Sequence, residues 1–236
     1  MLLKHGAQVN ARDDEGCTPL YFVTFCESGT MALEIAATLV RHGADLNVTD
    51  KYRESLLLAL ARRSTPEVVE LLLKRGANPN HMTKYGDSES PLLTELLSTD
   101  HPAPRAARTL ELLLAYGANP NAKNSTLSAT PLYRVIRNPE PQLVQVLLRY
   151  GASIGEAYGG HISTLCEALQ AYLDAAATHR VAAQKAKDVT AILLRHGAKL
   201  RPAEEPIVAK ENFQRYLDLA PHAPEAHHVR QLLQKL

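Results

Sequence analysis

Leu71-Leu72-Leu73-Lys74-Arg75-Gly76-Ala77-Asn78-Pro79-Asn80 is an apolar helix end that stops at a glycine and passes into an extended segment. Near-copies recur along the whole chain. A Gly-Ala pair follows a helical stretch at Gly6, Gly43, Gly76, Gly117, Gly151 and Gly197. Successive glycines stand 37, 33, 41, 34 and 46 residues apart, so two intervals sit on or beside 33 and the rest exceed it. Self-similarity at a fixed period of about 20 to 50 residues marks a repeat architecture, in which longer intervals need only a loop insertion on one unit.

The segments between the glycines carry a second motif. Asp13-Asp14-Glu15-Gly16-Cys17-Thr18-Pro19-Leu20-Tyr21 resembles the Asp-x-x-Gly-x-Thr-Pro-Leu-His opening of ankyrin repeats, and Gly43-Ala44-Asp45-Leu46-Asn47 resembles their closing Gly-Ala-Asp-x-Asn. Thr130-Pro131-Leu132-Tyr133 and Ser90-Pro91-Leu92-Leu93 repeat the opening, as do Ser55-Leu56-Leu57-Leu58 and Ser163-Thr164-Leu165-Cys166 more loosely. The resemblance covers about residues 1 to 200 and implies an all-α solenoid of stacked helix-turn-helix repeats joined by short hairpin-like loops. We divide the chain into a partial repeat at 1–11, five repeats at about 12–48, 49–81, 82–122, 123–155 and 156–200, and a helical cap at 201–236.

Each motif has a physical role. Thr or Ser before the first turn caps free backbone N–H groups, and proline at the first helical position loses no hydrogen bond there. Thr-Pro-Leu is therefore expected to start a helix. The closing glycine supplies a left-handed C-cap. Leu71 to Leu73 and Leu112 to Leu114 lie on adjoining helical faces and can bury against neighbours on both sides.

Departures from the family pattern are equally legible. Its helix-start histidine is replaced by Tyr21, Leu58, Leu93, Tyr133 and Cys166, so its hydrogen bonding is absent or reworked. Surplus residues are expected between the paired helices near Glu27 to Thr30, Thr99 to Arg105 and Ala175 to Lys185, the last lengthening both helices. Residues 1 to 6 match only the tail of a second helix, which predicts uncovered Leu2 and Leu3 and an amino-terminally shortened array. Pro206 to Leu219 and Pro224 to Leu236 read as two further helices.

Composition bounds the function. The formal charge of +1, with 45% hydrophobic and 22% charged residues, shows no global bias toward nucleic acid or anionic membrane. No apolar run approaches the roughly 18 residues of a membrane span, and Met1 to Gly6 is too short for a secretory signal, so an intracellular protein, cytoplasmic or nuclear, is expected. Cys17, Cys26 and Cys166 lack metal-site spacing and read as reduced, buried thiols.

The ten histidines invite a metal or catalytic reading. His5, His42 and His196 precede closing glycines, where a cationic ring suits a helix C-terminus. His227 and His228 point about 100° apart on a helix and cannot chelate together. Tyr158-Gly159-Gly160-His161 is the nearest approach to a phosphate loop and reads as a turn. A hydrolase or metal protein using His161 or His222 is the weakest alternative. No enzyme activity, cofactor, metal, nucleic acid, membrane or small-molecule ligand is expected.

The resemblance implies that a protein partner docks on hairpin tips and the ends of first helices. Counting from each opening places Asp14, Glu15, Phe25 and Cys26 there in the first repeat, and Lys51, Tyr52, Glu54, Arg62 and Arg63 in the second. The fourth supplies Arg137 and Asn138, and the longer third tip supplies Tyr85. Lys51, Arg53, Arg62 and Arg63 around Tyr52 form a basic aromatic patch of the composition favoured at interface hot spots. The expected function is a non-enzymatic adaptor; the alternative is the regulatory or targeting part of a larger protein.

Overall fold

A computed structural model describes residues 2–85, 88–98, 106–126, 128–155, 163–176, 180–199 and 206–234. It divides into two compact units, Met1–Thr126 and Leu127–Leu236. In the first, a 3-10 helix Leu2–His5 precedes a second, Tyr21–Phe25, followed by α1 (Gly29–Arg41), α2 (Leu56–Arg63) and α3 (Pro66–Lys74). An antiparallel hairpin, β1 (Met82–Tyr85) with β2 (Ser88–Pro91), leads into α4 (Leu92–Leu96) and α5 (Ala106–Ala115). First helices form one row, with α2 packed on both Tyr21–Phe25 and α4, and second helices form another, with α3 packed on α1 and α5.

The second unit holds α6 (Pro131–Arg137), α7 (Pro141–Arg149), α8 (Thr164–Ala176), α9 (Arg180–Arg195), α10 (Pro206–Leu219) and α11 (Ala226–Leu233). Here α8 packs on α6, α9 and α10, α7 packs on α9, and α11 closes on α10. The long Ala-rich segment does lengthen its helix pair: α8 and α9 run 13 and 16 residues, against 8 and 9 for α2 and α3. The expected insertion at Thr99 to Arg105 lies outside the described residues, as does the loop after Ala176.

The closing glycines do what their spacing predicts. All six have φ between +80° and +94°, a region open to glycine and strained for other residues. At Gly76 the Ala77 N–H donates to Leu72 O at 3.0 Å and the Gly76 N–H to Leu73 O at 3.1 Å, and the same pair of bonds recurs at Gly43, Gly117, Gly151 and Gly197. This is a Schellman closure, which satisfies carbonyls that the helix end would leave open. His42 and His196 turn Nδ1 to Thr38 O and Ile192 O at 2.8 and 2.9 Å, at the ends of their helices.

The asparagines four residues after Gly6, Gly43 and Gly76 each tie one repeat to the next. Asn10 Oδ1 accepts from the Asp45 N–H, Asn47 Oδ1 from the Asn78 N–H and Asn80 Oδ1 from the Asn119 N–H, each at 2.8 Å. Beneath this ladder the leucines form the spine: Leu72 and Leu113 are fully buried, Leu112 and Leu114 nearly so, and Leu71 only half. Leu3 is half-buried, so the uncovered surface expected at the amino terminus is partial there; the Leu2 side chain lies outside the described residues.

The openings are less uniform than expected. Ser55, Thr130 and Ser163 accept from the N–H three residues on at 3.1 to 3.2 Å and cap α2, α6 and α8. Thr18 starts no α-helix: its hydroxyl is buried without a hydrogen-bond partner among the described residues, and a turn passes into the 3-10 helix. Ser90 fails similarly, because it is a strand residue of the hairpin and α4 begins after Pro91. The last helix starts at Ala226, two residues later than Pro224 suggests, because Pro224 and Glu225 form a turn and the Glu225 carboxylate is held by Arg195 at 2.6 Å.

Candidate functional site at the first two hairpin tips

The tips of the first and second repeats are the same turn built twice. Asp13 Oδ1 accepts from the N–H groups of Glu15 and Cys17 at 3.0 and 2.8 Å, and Asp50 Oδ1 accepts from those of Tyr52 and Glu54 at 2.9 Å each. An aspartate side chain that mimics a backbone turn in this way fixes the four residues after it. The tips are joined by the Lys51 N–H, which donates to Glu15 O at 2.7 Å, and by Arg12, whose Nη1 donates to Gly16 O and Thr49 O at 3.2 and 2.9 Å. This backbone register sets the side chains above it.

Lys51 Nζ lies 2.6 Å from the Glu15 carboxylate and 5.0 Å from the centre of the Tyr52 ring. The carboxylate, chiefly, raises the Lys51 ammonium above its ordinary value. Tyr52 is 63% exposed and available to a partner. Its neighbours Asp14 and Arg53 are exposed, with no ion pair among the described residues.

Behind the tips runs a polar chain through three repeats. Tyr21, at the position of the family histidine, lies nearly buried with its hydroxyl 3.4 Å from Asp50 Oδ2 and 3.3 Å from Glu54 Oε2. Burial, then the Glu54 and Asp50 charges, raise its phenol well above the ordinary value, while Arg63 opposes them. Glu54 continues to Arg62 at 2.5 Å, and Arg62 reaches Glu95 O at 2.9 Å and the Glu95 carboxylate at 3.5 Å. In the first repeat the reworked histidine position, Tyr21, is thus an inter-repeat hydrogen-bond site.

This chain sorts the expected binding residues. Arg62 and Glu54 are largely buried and engaged inside the array. Arg137 occupies the same register position in the fourth repeat and likewise pairs with the next first helix, at 3.0 Å from Glu167, though more than half of its side chain is exposed. Asn138 ends α6. Arg63 ends α2 exposed and, among the described residues, without an ion pair. Tyr85 ends β1, with its side chain outside the described residues. Asp14, Glu15, Lys51, Tyr52 and Arg63 belong to the first two repeats, whereas Arg137 and Asn138 belong to the other compact unit.

Sequence reasoning missed Phe22. It is 50% exposed and stacks at a tilt against Phe25, itself 63% exposed, with ring centres 6.0 Å apart. In a 3-10 helix, residues i and i+3 eclipse, which brings the two rings onto one face. An α-helical register would have turned Phe22 inward like its counterpart Ala59, so no signal short of recognising the 3-10 turn would have found it.

The three cysteines are free and half-buried, rather than fully buried as their residue type suggests. Among the described residues there is no group of three or more metal-ligating side chains, and no helix is long and apolar enough to cross a membrane.

Comparison with known proteins agrees with this architecture. A family model of ankyrin repeats in three copies matches residues 1–86. A crystal structure of an ankyrin repeat domain from Acinetobacter baumannii is 30% identical, with a TM-score of 0.56 over 65% of this chain and 74% of that one. The human ankyrin repeat and SOCS box protein 16 is 32% identical over 178 residues, 74% of this chain and 38% of its own length. An ankyrin repeat protein of Acanthamoeba polyphaga mimivirus is 35% identical over 134 residues, 52% of this chain and 20% of its own length. The chain belongs to the ankyrin repeat family, whose repeats are generally protein-interaction modules. It spans a fifth to about two fifths of the length of these two curated relatives.

Proposed function

We propose that the chain is a non-enzymatic adaptor that holds a partner protein on the tips and first-helix ends of its first two repeats. The observation that carries this reading is that the first two repeats expose three large aromatic side chains, Tyr52, Phe22 and Phe25, and also expose Lys51, which lies over the Tyr52 ring, and Arg63. Large aromatic side chains exposed beside cations are the composition of binding hot spots, and folding alone would bury the rings. Asp14 and Glu15 lie one tip away and contribute charge of the opposite sign; Tyr85 in the third repeat is a further candidate, and Arg137 and Asn138 are separate candidates within the other compact unit. Binding requires no cofactor, and the expected setting is intracellular.

A photo-crosslinking residue placed at Tyr52 or Phe25 in living cells tests the site. Protein adducts from both positions, and none from the exposed control position Glu34, are expected. Adducts of equal yield at all three would remove this surface from consideration. A second reading, the interaction or regulatory part of a longer protein, is supported by the small share of each curated relative that the chain spans. Transcript sequencing across the locus distinguishes a short product from a longer one.

A further inference from the structure

The two tips differ at one informative position. Counted from the capping aspartates, Gly16 in the first corresponds to Arg53 in the second, and both have positive φ, +77° and +64°. Their backbones do the same work: the Gly16 N–H donates to Asp13 O at 2.9 Å and the Arg53 N–H to Asp50 O at 3.1 Å. Glycine adopts this conformation freely, whereas arginine adopts it at a cost. The second tip therefore carries a long cationic side chain where the turn itself favours none.

The side chain does nothing for the fold that offsets this cost. Arg53 is exposed and makes no ion pair or side-chain hydrogen bond among the described residues. Of the cations on the second tip and at the end of α2, Lys51 is matched by Glu15, and Arg62 by Glu54 and Glu95. Asp50 is held by two backbone N–H groups and the Tyr21 hydroxyl. Arg53 and Arg63 remain, each one residue away from the Glu54–Arg62 pair that clamps the tip to the end of α2. Two uncommitted guanidinium groups thus flank an anchored pair, with Tyr52 beside one of them.

From this we infer that the occupant of the second-repeat surface is an acidic peptide segment, with carboxylates on Arg53 and Arg63 and an apolar side chain on Tyr52 and the Phe22–Phe25 pair. The inference rests on the proposed interaction function and adds to it the chemistry of the partner. Guanidinium groups suit it because they bind carboxylates through two parallel hydrogen bonds while their planar faces tolerate aromatic neighbours. Strain kept at an exposed residue with no structural partner is expected where the side chain is used by something outside the fold.

The test pans a random dodecapeptide phage library on the full chain and measures the selected peptides by fluorescence polarisation. Peptides rich in Asp and Glu beside Leu or an aromatic residue are expected. Arg53→Gly and Arg63→Gln should each weaken binding about tenfold, the loss of one charge-assisted contact. Arg53→Gly should also leave the unfolding midpoint unchanged or raise it by about 2 °C through relief of backbone strain. Basic or charge-neutral selected peptides, an empty selection, or undiminished binding by Arg53→Gly would overturn the inference. If Tyr52→Ala abolishes binding while Arg53→Gly leaves it intact, the interaction site stands and only the acidic partner falls. If neither variant changes binding, both fall.

Discussion

Thr18-Pro19-Leu20-Tyr21 in the first repeat and Thr130-Pro131-Leu132-Tyr133 in the fourth are the same four residues, and they fold differently. In the fourth, the Thr130 hydroxyl caps α6, and the residues after it wind into an α-helix. In the first, the Thr18 hydroxyl has no partner among the described residues, and a turn gives way to a 3-10 helix. The cause lies downstream, where Phe22-Val23-Thr24-Phe25 replaces Arg134-Val135-Ile136-Arg137. Aromatic residues and threonine have weaker helix propensity than arginine, and the Thr24 hydroxyl binds Tyr21 O at 2.8 Å, a carbonyl that an α-helix would need. The same motif is followed by a helix that begins at Pro131 in one repeat and at Tyr21, two register positions later, in the other, so the residues after it decide both where the helix begins and which helix forms.

What both copies share is the leucine. Leu20 and Leu132 are 0% and 1% exposed. Leu20→Ala and Leu132→Ala should therefore each destabilise by about 3 kcal/mol, the usual loss for a buried leucine. Chemical denaturation would show it, and a loss at only one site would mean that the 3-10 segment is not part of the packed spine.

The threonines should separate where the leucines agree. Thr130→Val removes a cap and should cost about 1 kcal/mol. Thr18→Val replaces a buried hydroxyl that has no partner with a methyl of similar volume, and should be neutral or slightly stabilising. Equal losses would show that Thr18 caps in solution after all. A smaller and more direct test transplants the fourth repeat onto the first: Phe22→Arg, Thr24→Ile and Phe25→Arg together improve local helix propensity by roughly 0.9 kcal/mol. Far-UV circular dichroism should gain about one helical turn, and an unchanged spectrum would place the cause in tertiary context instead.

These contrasts also show what the sequence could reveal. The second-helix ends were fully legible, because a left-handed glycine after a leucine run leaves few alternatives, and all six adopt the expected φ. First helices were less so. The third opening has the same Ser-Pro-Leu signature as a capped helix, yet Ser90 pairs across a hairpin with Thr83. The candidate site was legible in position and incomplete in content. Register located Tyr52 and Arg63, but a register count cannot tell an uncommitted arginine from one that, like Arg62 or Arg137, meets a glutamate of the next repeat about 30 residues away. Pairing is a property of the stack, and a single repeat read alone does not contain it.

The smallest effect probes the tyrosine of the same motif. The Tyr21 hydroxyl faces Asp50 and Glu54, and burial with these two charges raises its phenol above the unfolded value of 10.0. A raised acid binds its proton more tightly when folded, so the stability linked to it is complete below pH 10 and declines as pH climbs above that value. At pH 10 the unfolded chain is already half ionised at this residue, and the loss amounts to about 0.4 kcal/mol. Tyr21→Phe should remove that increment and flatten the alkaline limb. Tyr172 and Tyr216, the latter pushed up to about 12 chiefly by burial, retain their own share of it. Stability against pH from 8 to 10.5 for both proteins measures the difference, and curves that stay parallel would mean that the Tyr21 phenol meets solvent rather than the second-repeat carboxylates.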